Sequence, residues 1–168
     1  FPLNEMKPDD LYIMNDPYLG GTHLPDIAII MPVFFKGKPI AISAAMTHHQ
    51  DVGGMSPGSV PPNATEIYQE GIRIPPLNLR KGKEFNDTLI QMLKLNVRVP
   101  QVFMGDIGAQ ISACTIGARR VVELADRYGY DQTFQIFNEL LDRSEQLTRK
   151  ALQTIPDGTY SYIDYLDN

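Results

Sequence analysis

The sequence predicts an α+β fold, with β-strands and long loops in the first half, packed helices including a helical hairpin in the second, and a final strand. Up to about residue 85, short β-rich runs alternate with Pro and Gly breaks, whereas from residue 86 the apolar residues recur at steps of three and four. Over 168 residues, 43% apolar and 21% charged content is that of a chain able to bury a hydrophobic core. The change near residue 85 separates a β/loop region, 1–85, from a mainly helical region, 86–168, of a single domain or of a fragment of a larger subunit.

Strands are expected over residues 10–14, 27–35 and 40–47, the last two joined through Lys36-Gly37-Lys38-Pro39 as a hairpin would be. Residues 51–76 carry five prolines and four glycines, a length of loop that is usually functional in a compact domain. Asn86 or Asp87 can cap a first helix whose Leu89, Ile90, Leu93 and Val97 share one face, with Arg98-Val99-Pro100 stopping it. A second helix fits residues 106–128, where Ile107, Ile111, Cys114, Ala118, Val121, Ala125 and Tyr128 recur at alternating steps of four and three. Asp106 is expected to cap it, with a contact to the site as the alternative role, and Gly129 to end it. A third helix, 131–154, has Phe134, Phe137, Leu141, Ser144, Thr148 and Ala151 on one seam and should fold back on the second as an antiparallel hairpin. The run at 160–166 alternates as a strand does.

Twenty acidic against fifteen basic residues give a net charge of -5, without a basic run, which argues against a nucleic-acid surface or an anionic membrane face. The longest apolar run, 27–35, is broken by Pro32 and is about half the length of a membrane-spanning helix. The single cysteine, Cys114, lies among small apolar residues and reads as a buried thiol in a reducing compartment, so a cytoplasmic location is expected. Both ends look cut, as those of a piece of a longer polypeptide would.

All three histidines stand beside carboxylates and paired glycines. His23 lies in Asn15-Asp16-Pro17-Tyr18-Leu19-Gly20-Gly21-Thr22-His23-Leu24-Pro25-Asp26, and His48 and His49 lie in Thr47-His48-His49-Gln50-Asp51-Val52-Gly53-Gly54. His23, Asp26 and His48 would form a two-histidine, one-carboxylate set suited to a divalent ion such as manganese, zinc or iron. Asp16, His49 and Asp51 would then be catalytic, orienting the ligands or acting as general base. The competing reading makes Asn15-Asp16-Pro17 a simple turn and His23 or His49 a satisfied polar residue. Glu70 and Arg73 belong either to a substrate-binding lid or to a capping and ion-pair stretch. Gly58-Ser59 lacks the G-x-S-x-G form of a nucleophile elbow, and neither a phosphate-binding loop nor a dinucleotide fingerprint is present.

Taken together, N-D-P-Y-x-G-G-T-H-x-P-D at 15–26, H-H-x-D-V-G-G with a following P-G-S at 48–59, E-I-x-Q-E-G-x-R-I-P-P at 66–76 and G-D-x-x-A-Q at 105–110 resemble the hydantoinase B/oxoprolinase family. The resemblance implies a B-type subunit that hydrolyses a cyclic amide such as hydantoin or 5-oxoproline in a hetero-oligomer. An A-type nucleotide-binding subunit with an actin-like fold would use ATP to phosphorylate the ring. It also implies metal ligands at His23, Asp26 and His48, manganese being carried by the equivalent subunit of acetone carboxylase. Two alternatives remain open: a subunit of an ATP-dependent ketone carboxylase, and a non-catalytic assembly module.

Overall fold

A computed structural model describes residues 1–165. Five strands, β1 (Leu11–Met14), β2 (Asp26–Phe35), β3 (Lys38–His48), β4 (Leu77–Lys81) and β5 (Glu84–Phe85), form one antiparallel sheet in the order β3-β2-β1-β4-β5. Three helices follow: α1 (Asp87–Asn96), α2 (Pro100–Tyr128) and α3 (Tyr130–Leu152). The chain is therefore the mixed α+β fold its periodicities predict.

The β2–β3 hairpin turns on two residues, Lys36 and Gly37, both with positive φ (49° and 78°). Such a turn matches the right-handed twist of the flanking strands, and Gly37 takes the left-handed conformation without a Cβ penalty. The sequence reading missed β4 and β5. Their signal is the Leu77/Leu79 alternation ahead of Gly82, whose φ of 56° closes the turn between them.

One face of the sheet is buried. Ile13, Ile27, Ile29, Met31 and Val33 join Phe103, Ile107, Cys114 and Ala118 of α2 and Leu89 and Leu93 of α1 in a single core cluster. Gly117 gives α2 its close approach to β3, since a Cβ there would lie 2.7 Å from Ser43 Oγ. The Cys114 thiol is buried against β2 and donates to the Ile29 carbonyl at 3.4 Å, and burial pushes its pKa up, as suits an inert thiol.

Asn86 caps α1 by accepting from the Leu89 amide at 3.1 Å, as expected. α2 departs from expectation: it begins at Pro100, so Asp106 lies within the helix and caps nothing. Proline at the first helical position is favoured there because its missing N–H would have no partner. α3 starts across Gly129, where Thr133 Oγ1 donates to the carbonyls of Leu124 and Gly129. Only Thr133 of α3 is buried, and Leu141 on the expected seam is 68% exposed, so the hairpin is not closed along its length. The final strand is also absent among the described residues: 160–165 form no strand, and Leu166 lies outside them. Among the described residues no helix is long and apolar enough to cross a membrane.

The long loop, 51–76, contains only a 3-10 turn (Ile67–Gln69) and is held by buried polar anchors instead. Asp51 accepts from the amides of Gly53, Gly58 and Arg98 and from Arg98 Nη1 at 2.9–3.1 Å. Arg98 also donates to the carbonyls of Gly53, Gly54 and Ser56, tying the loop to the start of α2. Ser59 Oγ accepts from the Val52 amide and donates to the Gly53 carbonyl, which makes this serine part of the scaffold.

Burial raises the Asp51 pKa, but the hydrogen bonds from Gly53, Arg98 and Gly58 outweigh it and hold the carboxyl below its ordinary value. A carboxylate with a lowered folded pKa contributes stability that is present above the unfolded value and lost as pH falls through the folded one. Asp51→Asn is therefore expected to destabilise the protein by about 2 kcal/mol at pH 7 and to flatten its loss of stability below about pH 4, both measured by urea unfolding across pH.

Candidate metal centre

The β2–β3 register brings the ends of the two strands together, with Asp26 opposite His48. Side chains opposite each other on an antiparallel pair share a face, and alternation from Ile27 puts both on the face away from α2. The third residue comes from a tight turn: the Asp26 amide donates to the His23 carbonyl at 3.0 Å, folding His23 back over Asp26. His23 Nδ1 lies 2.9 Å from Asp26 Oδ2, and His48 Nδ1 lies 3.2 Å from Asp26 Oδ1. The imidazole centroids are 5.0 Å apart.

His23, Asp26 and His48 each offer one donor atom within 4.8 Å of the others. Donors on one divalent ion at ~2.0–2.2 Å each sit within ~4.4 Å of one another, so a small closure suffices. The donor set, two borderline nitrogens and one hard oxygen, fits zinc, manganese or iron. The two imidazoles are about half exposed, at 44% and 54%, while Asp26 is 18% exposed, which leaves an open side.

The turn that carries His23 is built from behind by Asn15, which is fully buried. Its Nδ2 donates to the carbonyls of Leu24 and Ile72, and its Oδ1 accepts from the Ile74 amide, linking the end of β1, the His23 turn and the long loop. Gly21 packs directly on the Asn15 and Asp16 carbonyls, leaving no space for a Cβ.

The remaining sequence-predicted residues separate into three groups. Asp16 accepts from the Tyr18 amide and holds Arg73, whose Nε lies 3.3 Å from its Oδ2. The Arg73 guanidinium also lies 5.8 Å from the rings of Tyr18 and Tyr68. Glu70, with Glu66, Thr22, Tyr18 and His23, lines a cleft of about 380 Å³, which His23 shares with the candidate metal group. His49 and Asp51 are not brought into this group. Asp51 is engaged by Arg98 on the loop side. His49 is fully buried on the α2 side, 4.8 Å from the Phe103 ring and 3.0 Å from Gln110 Oε1, and burial lowers its pKa. Consecutive strand residues face opposite ways, so His48 and His49 divide between the two faces. Tyr18 and Tyr68 carry no signal in the sequence beyond their neighbours, because tyrosines are as common in cores and turns as beside arginines.

An imidazole and a carboxylate at paired strand ends, with a second imidazole on the turn before them, give this α+β chain a donor set that could hold a divalent ion. Residues 2–168 match the family described as Hydantoinase B/oxoprolinase, and the chain belongs to that family. It is 38% identical over 165 residues to the caprolactamase beta chain of Pseudomonas jessenii, covering 98% of this chain and 28% of that one. It is 36% identical to the B-type subunit of a putative D-/L-hydantoinase from a Pseudomonas species, over 94% of this chain and 27% of that one. The crystal structure of the ATP-dependent caprolactamase from Pseudomonas jessenii superposes with a TM-score of 0.85 at 37% identity, over 92% of this chain and 27% of that one. The chain thus spans little more than a quarter of the length of these relatives.

Gly21→Ala would force its new Cβ into the Asn15 and Asp16 carbonyls and push the His23 turn outward. The expected outcome is a loss of about 2 kcal/mol or more, read by chemical denaturation.

Proposed function

We propose that the chain is the metal-bearing portion of a B-type subunit that opens a cyclic amide, such as hydantoin or 5-oxoproline, after ATP-dependent activation by an A-type nucleotide-binding partner. The convergence of His23, Asp26 and His48 on the open side of a sheet, beside a cleft, is the observation that carries this reading. Membership of the family, and relatives named as subunits of caprolactamase and hydantoinase, support the cyclic-amide class and a hetero-oligomer.

The ligands would be His23, Asp26 and His48, and the ion manganese, zinc or iron. When bound, such an ion supplies Lewis acidity to a carbonyl or phosphoryl oxygen. Around it the chain's own groups bind and orient. Arg73, held by Asp16, presents a guanidinium flanked by Tyr18 and Tyr68 and suited to an anionic group on the ring. Glu70 lines the cleft as a hydrogen-bond acceptor for a ring N–H. Among the catalytic candidates, Asp16 thus acts through Arg73, whereas His49 and Asp51 act from within the scaffold.

The test uses the full subunit with its nucleotide-binding partner. Elemental analysis is expected to find one divalent metal per B-type subunit. His23→Ala is expected to lose it, together with at least a 100-fold fall in ATP-dependent ring opening. Bicarbonate-dependent ATP turnover would move the assignment to a ketone carboxylase. Unchanged turnover in the His23→Ala complex would leave an assembly module.

A further inference from the structure

Gln110, one turn beyond Asp106 on α2, is a 97% buried amide whose hydrogen bonds all leave its own helix. Its Nε2 donates to the Ile27 carbonyl at 2.7 Å and to the Ala45 carbonyl at 3.0 Å. Its Oε1 lies 3.0 Å from His49 Nε2. The orientation is unambiguous, because the flipped amide would set its oxygen against two carbonyl oxygens. Only Oε1 is therefore left for His49, and the imidazole carries its proton on Nε2. The bare Nδ1 is the one buried side-chain polar atom without a partner among the described residues, with Asp106 Oδ2 4.0 Å away.

These contacts bracket the candidate metal centre from the helix side. Ile27 follows Asp26, His49 follows His48, and Ala45 lies on the same strand as His48 three residues earlier. β3 is an edge strand, held on one side only, by β2 and by the His49 amide donating to the Pro25 carbonyl at 2.8 Å. One buried side chain thus joins the end of β2, the end of β3 and the residue after His48.

We infer that Gln110 is a positioning residue of the metal centre, fixing the separation of Asp26 and His48 from behind the sheet. The inference rests on the reading that His23, Asp26 and His48 hold a divalent ion. Gln110 touches neither ion nor substrate. It acts through backbone carbonyls and through His49, and outer partners of this kind typically set metal affinity by 10–100-fold.

Cobalt(II) binding to the full subunit, followed by its visible absorption spectrum and by titration, tests the inference. The unaltered subunit is expected to bind one cobalt ion with a distinct spectrum, and His23→Ala to bind none. Gln110→Met, which keeps the packing and removes the hydrogen bonds, is expected to bind 10–100-fold more weakly with a changed spectrum. Cys114→Ala, one turn further along α2, is expected to lower thermal stability while leaving affinity and spectrum intact. Wild-type cobalt binding in Gln110→Met, or equal weakening by Cys114→Ala, would overturn the positioning role. No cobalt in the unaltered subunit, or full binding by His23→Ala, would overturn the metal reading and this inference with it. If Gln110→Met does not fold, Gln110→Asn, whose amide is drawn back by one methylene from the Ile27 and Ala45 carbonyls and His49, is measured in the same way with the same expectation.

Discussion

The pairing of β2 with β3 decides where every chemically capable residue of the first half comes to rest. Sheet side chains alternate with a period of two, so a slip of one residue would carry Ile27 and Ile29 out of the core and turn Asp26 into it. The core apolar residues on β2 therefore set the register, and the register sets Asp26 opposite His48. The two-residue turn at Lys36 and Gly37 fixes the same register from the other end of the hairpin. Stability and site geometry are thus two consequences of one arrangement.

Beyond the sheet the polypeptide is held by polar anchors. A loop of this length has many amides and carbonyls that cannot pair within it, and each one buried without a partner would cost about 1–3 kcal/mol. Asn15 and Asp51 take up these groups, Asn15 from the His23 turn and the 72–74 segment, Asp51 from the glycine turn after His49. Their placement accounts for the glycines beside them: Gly21 lies against Asn15, Gly53 against the Asn96 carbonyl, and Gly71 against Val52. These are close backbone approaches that a side chain would block.

Much of this was legible in the sequence. Period two gave β1 to β3, period 3.6 gave the three helices, and the His-and-Asp motifs gave the three residues that converge. The start of α2 was not legible because Pro100 can either stop one helix or open the next, and here it does both within the four residues after Asn96. His49 and Asp51 share a motif with His48 but not its surroundings, since neighbours in sequence face opposite sides of a sheet and a carboxylate takes whatever donors the fold delivers. α3 shows a different limit. Its seam is amphipathic as read, yet the accessible surface, 11721 Å², exceeds the ~8,300 Å² of a compact chain of this mass, and Leu140, Leu141, Leu147 and Leu152 contribute to the excess. Periodicity specifies that a face is apolar, not what lies against it.

The division of His48 and His49 between faces also shapes the electrostatics. His49 is kept neutral by burial, so it places no positive charge behind Asp26 and His48. On the open side, the Arg73 charge is offset by Asp16 at 3.3 Å, while the neighbouring cleft is lined by Glu66 and Glu70 without a Lys or Arg. Like charges at several ångströms repel by about a kcal/mol or more at the effective dielectric of a protein surface, so a protonated His49 would oppose any cation at the three ligands. A divalent ion at His23, Asp26 and His48 would instead meet a proton-poor imidazole behind the sheet and uncompensated carboxylates in front. Gln110 does not supply the first of these conditions: an oxygen that accepts from Nε2–H favours the charged imidazole, as does the nearby Asp106 carboxylate, and it is burial of the ring that outweighs both.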